Sequence, residues 1–317
     1  MNRKQTKKLA IPIGDSNGIG PEITIKTVAR YSDRKDIRLT VFGPRSVIEK
    51  TAHALGMEQL LEKLDVVPTL EIPSSSYMPG LVNADAGRSA VDAATQAIRA
   101  VQRGEYDAIV AAPHHETAIA MAGIKFSGYP SLVASVCDLP AEEVFMLLIG
   151  GGLRIVHVTL HEGVETALRR LTPDLIVKAT IAGVSAVRRL GIQNPRVAVM
   201  GINPHAGEGG LFGKEDSQIT EPAVRQLITV GIDVFGPAGG DRLLASRKHD
   251  LYVAIFHDQG HIPIKLLSPN RASALSIGAN VLMSSVGHGS AMDIAGKGVA
   301  SPNAMIETIA LLANITL

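Results

Sequence analysis

The sequence predicts an α/β fold with a largely parallel sheet. Short β-rich runs alternate with segments of helical periodicity along most of the 317 residues, which is the pattern of strands joined by helical crossovers. Hydrophobic residues make up 46% of the chain, so a large core can form, and 31 glycines and 17 prolines provide the turns. No repeat or low-complexity linker divides the chain, so composition alone draws no domain boundary.

The predicted strands are short runs rich in β-branched residues. They cover residues 9–13, 39–42, 108–111, 144–148, 154–159, 196–200 and 252–256. The clearest helices cover residues 21–30, 91–103, 173–190, 219–229 and 302–312. The first helix opens with Pro21 and Glu22, because proline needs no N–H partner there and a carboxylate suits the positive end of the helix dipole. The turn-rich segment 72–83 is expected to be a surface loop.

Charge and cysteine content exclude several classes of protein. The net charge of +1 gives no broad basic surface for nucleic acid, so a small molecule is the expected partner. Cys137 is the only cysteine, which excludes an intrachain disulfide and a cysteine-based zinc site and favours a reducing cytoplasm. No apolar run approaches the roughly 18 residues that cross a bilayer, so we expect neither a membrane span nor a signal peptide.

Three histidines follow predicted strands. His161 comes after IVHVTL, His205 lies in GINPHAGEGG and His257 lies in VAIFHDQGH. Because ligands gather at the carboxyl ends of parallel strands, three imidazoles there could hold a divalent metal with open positions for substrate, although ordinary hydrogen-bonded histidines are the alternative. Asp258, directly after His257, could orient its ring or accept a proton. His157, on the same predicted strand as His161, is a substitute ligand or, as its deeper position favours, a core histidine.

A glycine-rich stretch near the C-terminus has the composition of a nucleotide-binding loop. GHGSAMDIAGKGVASPNAMI combines glycines, hydroxyl and amino donors and a following helix. It closely resembles the adenosine-binding loop of the isopropylmalate and isocitrate dehydrogenases, and GDSNGIGPE resembles their opening turn. The usual G-x-G-x-x-G fingerprint is absent, so NAD would be held without a standard Rossmann turn. The residues that this resemblance assigns to NAD are Gly289, Ser290, Asp293, Ile294, Ala295, Gly296 and Lys297.

Three motifs taken together, GINPHAGEGG, HDQGHIPIK and AGIKFSG, resemble the family of 4-hydroxythreonine-4-phosphate dehydrogenase, with matching segments over about residues 11–306. The resemblance implies that His161, His205 and His257 bind one divalent metal ion. Zinc is the expected metal, although three imidazoles suit cobalt, nickel and iron(II) about equally well. The resemblance also implies that Lys265 binds the substrate and contributes to catalysis.

The same resemblance implies the architecture. We expect a two-domain α/β/α fold like that of the isopropylmalate and isocitrate dehydrogenases, with the active site in the interdomain cleft and completed across a homodimer. Residues 1–125 and 270–317 would form a discontinuous cofactor-side domain. Residues 126–269 would form the domain for the metal, the substrate and dimerisation.

The chain departs from that family where phosphate would bind. Gly128, Tyr129 and Pro130 stand where the family has Gly-His-Thr, and Ala274 and Met283 occupy its substrate-binding Asn and Arg positions. Each lost charge-assisted hydrogen bond would cost roughly 1.5 to 3 kcal/mol. These substitutions argue against a phosphorylated threonine as substrate, and we expect Tyr129 and Pro130 to contact a six-membered ring instead.

Segments such as PHHETAI, FSGYPSL, RIVHVTLHE and LFGKEDSQIT resemble the terephthalate dihydrodiol dehydrogenase branch of the family. That resemblance implies NAD-dependent oxidation of 1,2-dihydroxy-3,5-cyclohexadiene-1,4-dicarboxylate to 3,4-dihydroxybenzoate and CO2. In this dihydrodiol, as in 4-phosphohydroxythreonine, a secondary alcohol neighbours the carbon that bears a carboxylate. Oxidation of either substrate therefore gives a β-keto acid that can lose CO2. The parent activity and a non-catalytic metabolite-binding protein remain as alternatives.

Several side chains could complete such a site. Arg242, Arg271 and His115 are candidates for binding the ring carboxylates, with surface charge or helix capping as their alternatives. Asp241 and Asp258 are candidates for the catalytic carboxylate, either as partners of the imidazoles or as acceptors of the alcohol proton.

Overall fold

The computed structural model describes residues 6–268 and 272–315, and the chain divides into two compact units. The first unit contains Met1–Ala141 and Ala279–Leu317, and the second contains Glu142–Gly278. The boundaries expected from the sequence, after residues 125 and 269, fall earlier in the chain.

Packing and strand pairing explain the positions of these boundaries. The helix Tyr129–Val136 stays with the first unit because it packs on the helix Ala84–Gln102. The strand Ser273–Gly278 stays with the second unit because it pairs with the strand Phe145–Gly150.

The first unit is an α/β unit built on parallel strands. Its strands are β1 (Lys7–Pro12), β2 (Ile37–Gly43), β3 (Asp65–Pro68), β4 (Ala108–Ala111) and β11 (Val281–Ser285). They lie in the order β3-β2-β1-β4-β11, and each neighbouring pair is parallel. Its helices are α1 (Gly20–Tyr31), α2 (Arg45–Ala54), α3 (Ala84–Gln102), α4 (Glu116–Met121), α5 (Tyr129–Val136) and α11 (Asn303–Ala313).

Local sequence explains two elements of the first unit. β1 is apolar at its centre, and Leu9, Ala10 and Ile11 are fully buried there. The α3 helix begins at Ala84, earlier than the predicted residue 91, because the Asn83 side chain caps it by accepting a hydrogen bond from the N–H of Ala86 at 2.9 Å.

The second unit is also an α/β unit. Its strands are β5 (Phe145–Gly150), β6 (Leu153–His157), β7 (Val197–Met200), β8 (Val234–Ala238), β9 (Leu251–Ala254) and β10 (Ser273–Gly278). They lie in the order β10-β5-β6-β9-β7-β8, with the β10–β5 and β5–β6 pairs antiparallel and the others parallel. Its helices are α6 (Val164–Arg170), α7 (Pro173–Arg189), α8 (Glu221–Thr229), α9 (Gly240–Ser246) and α10 (His257–Leu267).

The α/β prediction is confirmed, and each predicted strand and helix has a counterpart. Segment 72–83 forms neither helix nor strand, as expected. The strands β3, β8, β10 and β11 were not predicted, and in β8 the cause is the pair Gly236 and Pro237, which are typical of turns. No helix among the described residues combines the length and the apolar character that a membrane span requires.

Candidate functional site

The three candidate ligand histidines follow adjacent strands of the second unit. His161 lies in the bend after β6, His205 lies in the short 3-10 segment after β7, and His257 is the first residue of α10, after β9. β6, β9 and β7 are parallel neighbours, so their carboxyl ends lie at one edge of the sheet. The expectation that His157 and His161 share a strand is wrong, because β6 ends at His157 and the chain bends beyond it.

Two of these three imidazoles lie together. The ring centroids of His161 and His257 are 5.5 Å apart, whereas the His205 ring lies 6.1 Å from that of Phe212. Across residues 6–268 and 272–315, no three His, Cys, Asp or Glu side chains are grouped so that they could hold a metal ion. His161 and His257 therefore offer two imidazoles in one place, and the participation of His205 stays a prediction.

Asp258 fixes one edge of the His257 ring. Its Oδ1 lies 2.7 Å from Nδ1 of His257, so in the neutral imidazole the Nδ1–H donates and Nε2 keeps its lone pair. A carboxylate bonded to one ring nitrogen leaves the other as a metal ligand and raises its basicity. This contact supports the orienting role for Asp258, one of the two that its position allowed.

Two side chains tie the three histidine-bearing segments together. The Gln259 side chain accepts hydrogen bonds from the N–H groups of Ile255 and Phe256, at 2.8 and 3.1 Å, and donates to the carbonyl oxygen of Gly201 at 2.9 Å. The Thr159 hydroxyl donates to the carbonyl oxygen of Ile255 at 2.7 Å. The ends of β6, β7 and β9 are thereby joined at Ile255. Sequence reasoning missed both side chains, because the bonds that join separate segments, from Gln259 to Gly201 and from Thr159 to Ile255, are not local.

The backbone of the His205 loop adopts left-handed conformations, and hydrogen bonds to Asp216 support the start of the loop. His205 and Glu208 adopt φ values of 52° and 42°, which residues other than glycine rarely occupy. Such strain persists only where the surrounding structure maintains it, and it clusters at functional sites. The buried carboxylate of Asp216 supplies part of that support by accepting hydrogen bonds from the N–H groups of Ile202 and Asn203, at 2.8 and 2.9 Å.

A cleft of about 780 Å³ lies beside this loop within the second unit. Asp241 and Arg242, from the first turn of α9, line it together with His205. The cleft is therefore lined by a carboxylate, a guanidinium and an imidazole, whose roles stay predictions. Lys265 lies elsewhere, exposed on α10. Arg271, the remaining candidate cation, lies outside the described residues.

Two further histidines, His157 and His261, pack against His257. The His261 ring stacks on that of His257 with centroids 3.7 Å apart and planes within 9°. His261 Nδ1 lies 3.1 Å from Nε2 of His157.

Burial is the main cause that lowers the pKa of His157, to about 3, and the neighbouring His261 is the second cause. Burial also lowers the pKa of His261. The expectation that His157 is a core histidine agrees with its 1% exposure. The i, i+4 spacing of His257 and His261 was the signal for their contact.

The predicted cofactor loop, residues 287–301, is held to α1 in the first unit. The buried carboxylate of Glu22 accepts hydrogen bonds from the N–H groups of Gly298 and Ala300, at 3.2 and 2.7 Å. The Lys26 ammonium pairs with Glu22 at 2.7 Å and donates to the carbonyl oxygens of the same two loop residues. Glu22 therefore does more than favour the helix N-terminus, because it anchors the end of the loop.

The glycines of this loop have different structural roles. Gly296 has a φ of +74°, and a Cβ atom there would lie 2.8 Å from Cβ of Pro79, so the fold itself requires glycine. Gly289 is exposed, and a Cβ atom built on it meets nothing within 4 Å. The open space beside Gly289 would let a nucleotide approach the backbone closely. Ser290, in contrast, is 5% exposed, so its side chain is packed inside the unit.

The other residues assigned to NAD form a turn and border a cavity. The N–H of Ile294 donates to the carbonyl oxygen of Ala291 at 3.1 Å, and that of Lys297 donates to Ile294 at 3.2 Å. Asp293 is exposed and Ala295 is buried in this turn. Gly296 and Lys297 line a cavity of about 110 Å³ with Ser16 and Tyr77. That volume is below the roughly 300 Å³ of typical ligand pockets, so it could take only part of a dinucleotide.

The Tyr129 region differs from the expectation of a surface for a substrate ring. Tyr129 is 6% exposed, its hydroxyl donates to the carbonyl oxygen of Ala112 at 3.1 Å, and burial raises its pKa. Met283 is 1% exposed within β11. Neither side chain offers a free face to a ligand, because each is used for packing within the first unit. Pro130 is partly exposed at the start of α5, and His115 precedes α4 without capping it by a side-chain bond.

Comparison with known proteins identifies the relatives of this chain. Residues 26–312 match the family described as pyridoxal phosphate biosynthetic protein PdxA. The chain is 56% identical to the 1,2-dihydroxy-3,5-cyclohexadiene-1,4-dicarboxylate dehydrogenase of Comamonas sp, over 96% of this chain and 97% of that protein. A crystal structure of a terephthalate 1,2-cis-dihydrodiol dehydrogenase from Burkholderia xenovorans LB400 superposes with a TM-score of 0.85 at 44% identity, covering 99% of this chain and 100% of the other. A 4-hydroxythreonine-4-phosphate dehydrogenase from Burkholderia phymatum superposes with a TM-score of 0.86 at 34% identity, covering 97% and 98%.

Proposed function

The chain belongs to the PdxA family, whose relatives are dehydrogenases, and from that premise we propose that it oxidises a cyclic dihydrodiol dicarboxylate with NAD and a divalent metal ion. The substrate would be 1,2-dihydroxy-3,5-cyclohexadiene-1,4-dicarboxylate, and the products 3,4-dihydroxybenzoate, CO2 and NADH. We also propose that the protein acts in the cytoplasm, on a small molecule, and as a homodimer.

The observation that carries this proposal is the difference in similarity between two kinds of relative. Identity is 56% with the dicarboxylate dehydrogenase and 34% with the structure of a 4-hydroxythreonine-4-phosphate dehydrogenase, although both comparisons span nearly the whole chain. The polar contacts expected for phosphate are also missing, since Tyr129 uses its hydroxyl internally and Met283 has no charge. A phosphate without charge-assisted hydrogen bonds gains little from binding.

The reaction separates into an oxidation and a loss of CO2. In the first, the carbon of the secondary alcohol loses a hydride and the hydroxyl loses a proton, which leaves a ketone next to the carboxylated carbon. In the second, the bond to the carboxylate breaks and CO2 leaves, while the electron pair of that bond forms the double bond of an enolate. This third double bond makes the ring aromatic, and the enolate oxygen then takes up a proton to give 3,4-dihydroxybenzoate. When bound, NAD supplies the hydride acceptor and the metal ion supplies a Lewis acid for the oxygen atoms.

We assign these tasks to residues of the second unit. His161 and His257 would hold the metal ion with His205 as third ligand, and the Asp258 carboxylate would keep Nε2 of His257 available. Asp241, which shares a cleft with His205, would accept the alcohol proton. Arg242, on the same helical turn, would attract one ring carboxylate. Lys265 does not line that cleft, so its contact with the substrate stays a prediction.

The residues of the first unit fit a nucleotide. The loop end is fixed by Glu22 and Lys26, so its backbone does not have to be ordered when NAD binds. Gly289 leaves open space beside the backbone for the adenosine moiety. Lys297 supplies an exposed amino donor in the same loop, whereas Ser290 is buried and its contact with NAD stays a prediction.

The test is a product assay with the purified protein, the dihydrodiol dicarboxylate and NAD. We expect NADH and 3,4-dihydroxybenzoate in equal amounts, loss of turnover with a chelator, and recovery on addition of Zn²⁺ or Co²⁺. His205→Ala should lose both bound metal and turnover, whereas His53→Ala, at an exposed site in α2, should keep both. NADH without 3,4-dihydroxybenzoate would contradict decarboxylation, and stoichiometric metal in His205→Ala would contradict the three-histidine site.

A further inference from the structure

We propose that His261 is a positioning residue that holds the imidazole of His257 in the orientation needed to bind the metal ion, and that His157 holds His261 in turn. The inference rests on the proposed function for the role of His257 as a ligand. It assigns a task to two histidines that the predicted ligand set leaves unused.

The contact between His261 and His257 is a face-to-face stack. Their centroids are 3.7 Å apart and their planes differ by 9°, so one whole face of the His257 ring is covered. One edge of the same ring is fixed by Asp258, at 2.7 Å from Nδ1. Rotation of the His257 ring would break the stack or the hydrogen bond. A ligand that is already oriented loses less conformational entropy when the metal binds.

The hydrogen bonds around His157 determine the tautomers. His157 Nδ1 lies 3.4 Å from the carbonyl oxygen of Met146, which can only accept, so Nδ1 carries the proton and Nε2 has a lone pair. His261 Nδ1, at 3.1 Å, then donates to Nε2 of His157. The same Nδ1 lies 3.3 Å from the carbonyl oxygen of His257, a second acceptor. All three imidazoles can therefore be neutral, as a metal site requires.

Burial makes His157 a rigid support for His261. Its side chain is 1% exposed, and its backbone lies in β6, paired with β5 and β9. Gly260 makes room for it, because a Cβ atom at that position would collide with Nε2 of His157. The sequence H-D-Q-G-H thus supplies a ligand, two residues that anchor it, the glycine that allows close approach and the stacking histidine.

The experiment measures Co²⁺ binding to the full-length metal-free protein, in the absence of substrate and NAD. His261→Ala removes the stacked face and the hydrogen bond, and we expect the Kd for Co²⁺ to rise about 10- to 100-fold, with an altered visible absorption spectrum of the bound metal. His261→Phe keeps an aromatic face without the hydrogen bond to His157. Its Kd should therefore lie between those of the wild-type protein and His261→Ala. His53→Phe is the matched control and should bind Co²⁺ as the wild-type protein does.

The outcomes separate this inference from the proposed function. Wild-type affinity and spectrum in His261→Ala would overturn the positioning role, whatever the substrate of the enzyme. Failure of the wild-type protein to bind Co²⁺ would overturn both the positioning role and the metal site. Failure to oxidise the dihydrodiol, with the predicted Co²⁺ series intact, would overturn only the proposed substrate. Circular dichroism checks that His261→Ala folds, and His261→Phe, with its larger side chain, provides the comparison if it does not.

Discussion

The amide nitrogen Nε2 of Gln259 donates a hydrogen bond of 2.9 Å to the carbonyl oxygen of Gly201. This bond joins the start of α10, which carries His257, to the end of β7, from which the His205 loop departs. The Gln259 oxygen meanwhile accepts from two backbone N–H groups at the end of β9. One side chain thus sets the relative position of two segments that carry candidate ligands.

Replacement of Gln259 by leucine should destabilise this arrangement. The change leaves the carbonyl of Gly201 and the N–H groups of Ile255 and Phe256 without their side-chain partner, and each unpaired buried group costs about 1–3 kcal/mol. We expect the free energy of unfolding to fall by at least about 2 kcal/mol in urea titration. Gln226→Leu, at an exposed position of α8, is the matched control. A Gln259→Leu protein as stable as this control would show that the bridge is unimportant.

Replacement of Glu22 by alanine should release the cofactor loop. The buried carboxylate would no longer hold Gly298 and Ala300, and loss of one partner of a buried ion pair costs about 3 kcal/mol or more. We expect faster amide hydrogen exchange at Gly298 and Ala300 and a raised KM for NAD. Glu49→Ala, which breaks only a surface pair with Arg45, should change neither quantity. Exchange at wild-type rates in Glu22→Ala would contradict the anchoring role.

A side chain at Gly289 should interfere with NAD and not with folding. A Cβ atom there meets nothing within 4 Å, so Gly289→Val can be accommodated by the free protein while it fills the space assigned to the nucleotide. We expect an increased KM for NAD, an unchanged melting temperature and an unchanged metal content, with Gly289→Ala showing a smaller effect. Gly296 is a poorer probe, because its positive φ and its contact with Pro79 make any substitution destabilising. An unchanged KM in Gly289→Val would remove the assignment.

Tyr129 should make stability depend on pH in the alkaline range. Burial raises the pKa of Tyr129 in the folded state above its ordinary value of about 10, so its contribution is fully present below about pH 10 and is lost as the pH rises toward the folded-state value. We expect Tyr129→Phe to cost about 1 kcal/mol at neutral pH, through the lost hydrogen bond to Ala112. The difference in urea midpoint between the two proteins should shrink above about pH 10. A constant difference would contradict a buried, neutral phenol.

Sequence patterns predicted the elements whose signal is local. The run 108–111 is apolar and buried throughout, and its predicted bounds match β4. The α10 helix was missed because Gly260 and Pro263 are typical helix breakers, whereas here Gly260 makes room for His157 and Pro263 lies inside the helix. The alternation of strands and helices could therefore be predicted from periodicity, whereas the helix α10 depends on tertiary contacts that the local sequence does not show.

The candidate site was predictable to a similar extent. The ends of parallel strands indicated the segments of His161, His205 and His257, since that rule depends only on fold class. The bonds from Gln259 to Gly201, from Thr159 to Ile255 and from Ala300 to Glu22 join distant segments, so no local pattern could indicate them. The burial of Met283 likewise depends on its strand pairing with β4. The expected contact of Tyr129 with a substrate ring rested on residue type, and the burial of its side chain in the folded protein argues against it.

The central claim concerns the substrate, and the most direct measurement compares kcat/KM for the dihydrodiol dicarboxylate and for 4-phosphohydroxythreonine in the same metal-loaded preparation with NAD. We predict about 10⁴ M⁻¹s⁻¹ or more for the dihydrodiol, within the ordinary range of enzymes. The value for the phosphorylated substrate should be lower by about 100-fold or more, because two missing charge-assisted hydrogen bonds amount to about 3 kcal/mol. A value of about 10⁴ M⁻¹s⁻¹ for 4-phosphohydroxythreonine, with no turnover of the dihydrodiol, would contradict the proposed substrate.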